Sequence, residues 1–224
     1  MKKAIIFDLG NTLVGYYGRS ESLSIIRRCI AEVKRFLSGK DLLIVSEDDM
    51  WQRFEVENYE ARDYHVRPLY ERLSRIFHFP DADISEETKT DICRRFLKPI
   101  FDGAHIYDDV LPALRQLKFR RYKVGIISNA PWGSPGLLWQ EEMGRHGLSE
   151  YVDVIVFCAD IGWRKPAKRI FEFTLKKLGV SASECVFVGD DPRWDVVGPK
   201  SVGMDTIVID RSGTLKGYTG NKII

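Results

Sequence analysis

Polar residues that could do chemistry follow three short apolar runs of the chain. Asp8, Ser128-Asn129 and Gly189-Asp190-Asp191 come directly after the runs at 4–7, 124–127 and 185–188. In open parallel sheets, ligands bind outside the carboxyl ends of the strands. We therefore expect these side chains to converge on one ligand, although each alone could be an ordinary turn residue or helix N-cap.

A fourth segment, Lys165-Pro166, precedes a helical pattern. Proline suits the first turn of a helix, which predicts Lys165 at a helix N-terminus. A cation there opposes the helix macrodipole, by about 0.3 to 1 kcal/mol, unless an anion lies between them. The position is consistent with a bound phosphate, and the alternative is a solvated lysine at a fraying helix end.

Five short apolar runs that could position these residues are typical of strands buried on both faces. They cover 3–7, 123–127, 152–157, 185–188 and 206–209. Helical patterns lie between the last four runs, one over 137–146 and one after Pro166 that stops at Gly179. Strands that alternate with helices imply right-handed crossovers and a parallel sheet.

Between the first run and the others, from about residue 16 to residue 98, the chain has helical patterns, apart from an ambiguous apolar run at 42–45. Apolar residues recur at three and four over 23–37, and Ser46 with Asp49 has the spacing of a capping box. Pro68 and Ser85 each begin a further helical pattern. We therefore predict a helical insertion at 16–98.

Taken together, the motifs resemble those of the haloacid dehalogenase-like hydrolase superfamily. The segment 8–13, with the sequence DLGNTL, is followed in order by Ser128-Asn129, by Lys165-Pro166 and by Gly189-Asp190-Asp191 with Asp195. The helical insertion stands where that superfamily has its first-type cap. The resemblance implies an α/β fold with a doubly wound parallel sheet, in which a Rossmann-like core at 1–15 and 99–224 carries a helical cap domain at 16–98.

The resemblance also implies a reaction, the hydrolysis of a small phosphorylated metabolite. Asp8 would be the nucleophile, forming an aspartyl-phosphate that water then hydrolyses. Because several carboxylates would repel a phosphate dianion, a divalent cation is required. Magnesium prefers oxygen ligands, so the resemblance implies Mg²⁺ held by the Asp8 carboxylate, the Gly10 carbonyl and the Asp190 carboxylate.

The remaining motif residues have implied roles around the phosphoryl group. Ser128, Asn129 and Lys165 would bind the substrate, and Ser128 and Lys165 would also stabilise the charge that develops in transfer. Thr12 would position the first loop, and Asp195 would orient Lys165 or a metal-bound water.

Gly10 departs from the superfamily's pattern. Its phosphatases usually carry a second aspartate at this position as general acid and base, a function typically worth 10² to 10⁴ in rate. Three explanations stay open: a substrate with a good leaving group, a proton donor from elsewhere such as Asp191 or a cap side chain, or loss of turnover. The last would make the chain a non-catalytic phospholigand-binding or regulatory protein.

A 2-haloacid dehalogenase is a further alternative, because that branch also lacks the second aspartate. Trp194-Asp195 followed by Gly198 resembles its fourth motif. However, a dehalogenase has serine where this chain has Asp190, since its neutral pocket binds halide without metal. Asp190 therefore favours metal and phosphate.

Some side chains outside the motifs could select the substrate by closing over the site. In the insertion these are Tyr16, Tyr17, Arg19, Asp63, Tyr64, His65 and Arg67, although the last two could equally lie in a solvated helix connection. Trp132, in a stretch rich in turn formers, could stack on the substrate or anchor a stiff loop.

Composition excludes several classes of protein. The 34 basic and 32 acidic residues leave a net charge of +2, which is too small a field for a nucleic-acid binder. Apolar runs are far shorter than the roughly 18 residues of a membrane span. Four widely spaced cysteines predict buried thiols in a reducing, cytoplasmic environment.

Overall fold

The structure, a computed structural model, describes residues 1–43, 45–79, 84–213, 215 and 222–223. The strands of these residues are, in chain order, β1 (Ala4–Phe7), β2 (Val14–Gly15), β3 (His105–Ile106), β4 (Lys123–Ser128), β5 (Val154–Phe157), β6 (Cys185–Gly189), β7 (Asp205–Val208) and β8 (Lys222–Ile223). Six of these described strands form one parallel sheet in the order β5-β4-β1-β6-β7-β8. The predicted α/β fold with a parallel sheet is confirmed.

Strand β1 lies at the centre of the sheet, between β4 and β6, an order that the sequence alone left undetermined and that the family resemblance implies. Its residues pair in register with both neighbours, so Phe7 lies beside Ile126 on one side and Val188 on the other. All three strands are almost entirely buried, which explains why they are continuous apolar runs without polar alternation.

Four helices of the described chain follow β2 and precede β3, and we call them the helical insertion. They are α1 (Ser22–Ser38), α2 (Glu47–Glu57), α3 (Leu69–Phe77) and α4 (Glu86–Phe101). Helix α1 packs mainly on α4, and α2 packs on α3. Ser46 and Ser85 accept hydrogen bonds from the backbone N–H groups of Asp49 and Thr88, which makes them the N-caps of α2 and α4.

The two ends of the helical insertion meet in the short antiparallel pair of β2 and β3. A Cβ at Gly15 would lie 2.4 Å from the ring of the exposed His105, so a larger residue there would have to displace this side chain. The pair closes the base of the insertion beside the loop that follows β1.

The remaining helices are α5 (Val110–Phe119), α6 (Gly136–Arg145), α7 (Cys158–Ile161), α8 (Lys168–Leu178), α9 (Pro192–Asp195) and α10 (Val197–Val202). Helices α5, α6 and α8 pack on β4 and β5, and α10 packs on α8. Helices α6 and α8 match the predicted patterns within two residues, whereas α5, α7, α9 and α10 are additions to the predicted elements.

Two local predictions need correction. Helix α8 begins at Lys168 with Ala167 as its N-cap, so Lys165 and Pro166 lie in the turn before the helix and the prediction that they begin it is wrong. The ambiguous run at 42–45 includes Ile44, which lies outside the described residues, and its other residues are not in a strand. No helix among the described residues combines the length and apolar character that a membrane span needs. All four cysteines are free and buried, as predicted.

Candidate active site

The polar residues predicted to converge do so at the carboxyl edge of the sheet. Asp8 and Asp190 follow β1 and β6, and Ser128 is the last residue of β4. These strands are adjacent, and the three side chains line one cavity of about 710 Å³. The helical insertion forms the opposite wall of this cavity, with residues from α1, from α3 and from the 58–67 segment. The cavity therefore lies between the sheet and the insertion, where the ligand was expected.

Lys165 joins two of the motifs. Its Nζ lies 2.6 Å from Asp8 Oδ1 and 2.6 Å from Asp195 Oδ1, and its side chain is 1% exposed. Burial alone would lower the pKa of this lysine, but the charges of Asp195 and Asp8 raise it above its ordinary value. Lys165 is therefore a buried ammonium group held by two carboxylates. These carboxylates provide the anionic partner for which the sequence suggested a bound phosphate.

Three carboxylates crowd the site. Each carboxylate contributes one oxygen atom to a cluster in which all three atoms lie within 4.8 Å of one another, and the residues are Asp8, Asp190 and Asp195. Burial, and next the charge of Asp8, raise the pKa of Asp190 to about 8. Burial is also the largest cause that raises the pKa of Asp195 to about 7. Three buried carboxylates beside one lysine carry excess negative charge, and their oxygen atoms fit a hard divalent cation such as Mg²⁺.

Asp195 differs from the other two carboxylates because both of its oxygens have partners. Oδ1 pairs with Lys165, and Oδ2 accepts a hydrogen bond from the backbone N–H of Asp191 at 3.1 Å. Among the described residues, Asp190 instead accepts one long hydrogen bond of 3.4 Å, from the hydroxyl group of the fully buried Thr12. These contacts favour Asp8 and Asp190 as cation ligands and place Asp195 where it orients Lys165.

Asn129 binds the main chain of Lys165. Its Oδ1 accepts from Lys165 N at 2.8 Å, and its Nδ2 donates to Lys165 O at 3.2 Å. These two bonds fix the turn that carries the lysine, so the contacts of Asn129 are those of a positioning residue. The neighbouring Ser128 hydroxyl makes no hydrogen bond within the described part of the chain and lines the cavity.

Gly10 has room for a side chain. A Cβ added there would meet the Cδ2 atom of Tyr16 at 3.8 Å, an ordinary van der Waals contact. The Tyr16 ring packs against Trp139 and Phe101, and its buried hydroxyl has no partner among the described residues. Burial, then the charges of Glu142 and Asp8, raise the pKa of Tyr16 above its ordinary value.

Trp132 anchors the loop after Ser128 to the helical insertion. Its ring stacks on Phe54 at a centroid distance of 5.7 Å and lies 5.5 Å from the ring of Phe96. The guanidinium carbon of Arg72 lies 4.1 Å from the same ring. These contacts are those of a residue that anchors a loop, which is one of the two alternatives considered for Trp132.

The 63–67 segment of the insertion is attached to the loop that carries Lys165. Val66 N donates to Gly162 O, and Arg164 N donates to Tyr64 O, both at 2.9 Å. His65 and Arg67 line the cavity, as do Tyr16 and Tyr17, whereas Asp63 pairs with Arg67 at 2.8 Å. The side chain of Arg19 lies outside the described part of the chain.

Sequence reasoning missed several residues of the cavity wall: Tyr59, Glu60, Arg72, Cys158, Arg164 and Arg193. Arg164 and Arg193 adjoin motif residues in the sequence, and this proximity could have indicated them. Arg72 had no such signal, because its place in the wall depends on how α3 packs against the sheet.

Comparisons with known proteins agree with this geometry. A family model described as haloacid dehalogenase-like hydrolase matches residues 2–203. The chain is 28% identical over 214 residues to a glyceraldehyde 3-phosphate phosphatase of Methanopyrus kandleri, covering 94% of this chain and 85% of that protein.

Solved structures with the same fold include a haloacid dehalogenase-like phosphatase from Thermococcus onnurineus. Its TM-score is 0.66 at 27% identity, with 99% of this chain and 92% of that one covered. A 2-haloacid dehalogenase from Pseudomonas syringae gives 0.67 at 23% identity, with 100% and 94% covered, a likeness that concerns the fold alone.

Proposed function

Since the chain belongs to the haloacid dehalogenase-like hydrolase family, we propose that it is a magnesium-dependent phosphohydrolase of small phosphorylated metabolites. The observation that carries this proposal is the cluster of Asp8, Asp190 and Asp195 around the buried Lys165 ammonium group. The phosphatase named among its relatives acts on a three-carbon sugar phosphate, which supports a small substrate.

Magnesium would be held by the carboxylates of Asp8 and Asp190 and by the Gly10 carbonyl. When bound, the cation supplies positive charge that offsets the carboxylates and polarises the phosphoryl oxygens. The raised pKa of Asp190 supports this assignment, because a buried carboxylate that resists ionisation lacks the cationic partner that it needs.

Asp8 would act as the nucleophile. A carboxylate oxygen of Asp8 would form the bond to phosphorus while the bond from phosphorus to the leaving-group oxygen breaks. Water would then attack phosphorus while the bond from phosphorus to Asp8 breaks, which releases inorganic phosphate and restores the Asp8 carboxylate. Lys165 holds Asp8 in place and, with the free hydroxyl of Ser128, would bind the phosphoryl oxygens. Asp195 and Asn129 would be positioning residues, one acting on the Lys165 side chain and the other on its main chain.

Residues 16–98, which we propose as the cap, would exclude water during this reaction. Trp132 and the backbone bonds between the 64–66 and 162–164 segments tie the insertion to the loops that carry Ser128 and Lys165. A substrate that fills the cavity would therefore contact the insertion and the catalytic loops together.

The leaving group needs a proton that Gly10 cannot supply. Asp191, one candidate donor, accepts hydrogen bonds from the backbone N–H and the guanidinium group of Arg193. These bonds engage both carboxylate oxygens of Asp191 with Arg193, which disfavours it as the proton donor. The proton would therefore come from a side chain of the insertion, or the substrate would have a leaving group that needs little protonation.

Two other functions make different predictions. A non-catalytic phospholigand-binding protein would bind phosphate esters without turnover. A 2-haloacid dehalogenase would bind its anionic substrate without metal, and the chain has Asp190 at the position where that branch has serine.

The test is release of inorganic phosphate from an aryl phosphate, with and without Mg²⁺, alongside halide release from a 2-haloacid. We expect magnesium-dependent phosphate release, none from Asp8→Asn, and no halide. Asp102→Asn, the same change at an exposed carboxylate paired with Lys98, is the matched control. Phosphate release by Asp8→Asn equal to that of the wild type would contradict the nucleophile assignment, and halide release alone would contradict the function.

A further inference from the structure

The cavity has two ends of opposite charge. Asp8, Asp190 and Asp195 lie at the sheet end with Lys165, and a bound divalent cation would bring the formal charge of that end to zero. The wall formed by the insertion and the 162–164 segment is cationic, with Arg67, Arg72 and Arg164 against the single carboxylate of Glu60 among the described lining residues. Two of these guanidinium groups have a carboxylate close by, since Arg164 pairs with Glu60 at 2.7 Å and Arg67 pairs with Asp63 at 2.8 Å. Arg72 is the exception, because its carboxylate is more distant and is shared.

Arg72 is the buried member of the cationic wall. It is 5% exposed, and its Nη2 donates to the backbone carbonyls of Glu57 and Tyr59. Its guanidinium group lies over the Trp132 ring at 4.1 Å. Within the described chain, Nε and Nη1 make no hydrogen bond. The Arg72 guanidinium group is therefore held by the hydrogen bonds of Nη2 and by the face of the Trp132 ring. Its Nε and Nη1 donors are not used by these contacts.

The charge of Arg72 is also incompletely balanced. Glu57 is its nearest carboxylate at 3.8 Å, but Arg75 binds the same carboxylate through two hydrogen bonds of 2.7 and 3.1 Å. Burial lowers the pKa of Arg72 to about 10, and Glu57 only partly opposes this effect. One buried carboxylate between two guanidinium groups leaves net positive charge at the wall, and a buried charge without a full partner is costly.

Capping of α2 accounts for only part of this arrangement. The carbonyls of Glu57 and Tyr59 lie at and beyond the end of α2, and the Nη2 group alone satisfies both. That function requires neither the positive charge nor the other two nitrogens. An anion in the cavity would interact with the positive charge of Arg72 and with the donors that capping leaves unused.

We propose that the substrate carries a second anionic group, a carboxylate or a second phosphate, and that Arg72 binds it. This inference rests on the proposed function, because it assigns the other end of the same substrate. A guanidinium group binds both kinds of oxyanion through charge-assisted hydrogen bonds. The class is therefore a small phosphate ester whose leaving group is itself an anion.

The first test compares matched substrates with the wild-type protein and Mg²⁺. Phosphoglycerate (3-phospho) and glycerol 3-phosphate differ by a carboxylate in place of a hydroxymethyl group. Fructose 1,6-bisphosphate and fructose 6-phosphate differ by a second phosphate. We expect kcat/KM to be about 10- to 100-fold higher for the member of one pair that carries the second anionic group, the range of one charged hydrogen bond. The pair that shows the preference identifies the anion.

The second test uses Arg72→Gln, whose amide can still donate to the two backbone carbonyls. We expect KM for the preferred substrate to rise until the preference disappears, while kcat/KM for the partner substrate that lacks the second anionic group changes far less. Arg75→Gln removes the other guanidinium group that contacts Glu57. Because Arg75 does not line the cavity, this variant should keep the preference. If Arg72→Gln does not fold, Arg72→Lys replaces it, and a reduced preference is expected.

The outcomes separate this inference from the proposed function. Failure to hydrolyse any of these esters and an aryl phosphate would contradict the function itself. Hydrolysis of both members of each pair with equal kcat/KM would contradict the inference alone. A preference that survives in Arg72→Gln, or a loss that falls equally on both members of a pair, would remove Arg72 from substrate binding.

Discussion

Gly10 is the residue at which this chain departs from the phosphatases that it resembles, and the structure shows that the departure is chemical and not steric. The nearest atom to an added Cβ is a ring carbon of Tyr16 at 3.8 Å, an ordinary van der Waals contact, so the site has room for a Cβ at this position. We therefore expect that one substitution can restore the missing general acid.

Gly10→Asp should raise kcat for alkyl phosphates, whose leaving groups need a proton, by at least about tenfold within the 10² to 10⁴ that general acid catalysis can supply. Aryl phosphates should gain less, because their leaving groups are stable anions. Gly10→Asn is the matched control, with the same size and no acid. No gain for alkyl phosphates would mean that another residue already donates the proton.

Asp190 makes the stability of the metal-free protein depend on pH. Its pKa is about 8 in the folded state against an ordinary value of 3.8, so the folded protein holds a proton that the unfolded chain has lost between these values. Stability should therefore fall as the pH rises through this window, and Mg²⁺ should raise Tm more at pH 8 than at pH 6.

Thermal unfolding with and without Mg²⁺ at the two pH values measures this effect. Asp190→Asn should be more stable than the wild type at pH 8 without metal and should lose the response to Mg²⁺. A gain in Tm from Mg²⁺ that is equal at both pH values, or unchanged in Asp190→Asn, would contradict the assignment of Asp190 as a ligand.

At the scale of elements, local sequence signals located five strands of the parallel sheet and most long helices, because a buried strand or an amphipathic helix is visible in its own residues. They missed the two-residue strands β2, β3 and β8. The capping spacing of Ser46 with Asp49 and the start at Ser85 both correspond to N-caps in the structure. The signals failed where tertiary contacts decide the local structure. Two hydrogen bonds from Asn129, 36 residues away, hold Lys165 in the turn before α8.

Ser85→Ala should lower the free energy of unfolding by about 0.5 to 2 kcal/mol, because the Thr88 N–H at the start of α4 loses its acceptor. Ser46→Ala, at the start of α2, should have a similar effect for the same reason. Ser24→Ala is the control, since Ser24 donates to a backbone carbonyl within the helical insertion and caps no helix. Urea unfolding of the three variants gives the comparison, and equal stability of all three would show that the caps do not contribute.

At the scale of the whole molecule, the convergence of Asp8, Ser128 and Asp190 was predictable because the carboxyl ends of parallel strands meet at one edge of the sheet. The wall of the cavity opposite them was predictable only in part. Tyr16, Tyr17, His65, Arg67 and Trp132 were candidates and line it, whereas Arg72 reaches it through packing of the helical insertion. Such packing leaves no pattern in a single sequence. The reaction chemistry is therefore more visible in the sequence than substrate selection is.

Trp132→Ala should destabilise the protein by about 2 to 4 kcal/mol, because the ring fills the space between Phe54 and Phe96 at the junction of the insertion and the sheet. Trp132→Phe keeps an aromatic contact and should cost less than half as much. Urea unfolding measures both variants. Normal stability of Trp132→Ala with a raised KM would instead indicate that the ring stacks on substrate.

The most direct measurement of the central claim is to stop the reaction with acid during turnover of a phosphate ester and to map the peptide that carries phosphate. We predict a phosphoryl group on the peptide that contains Asp8, formed only when Mg²⁺ is present and absent from Asp8→Asn. Steady release of phosphate by a protein whose Asp8 never becomes labelled, or a label on another residue, would contradict the account.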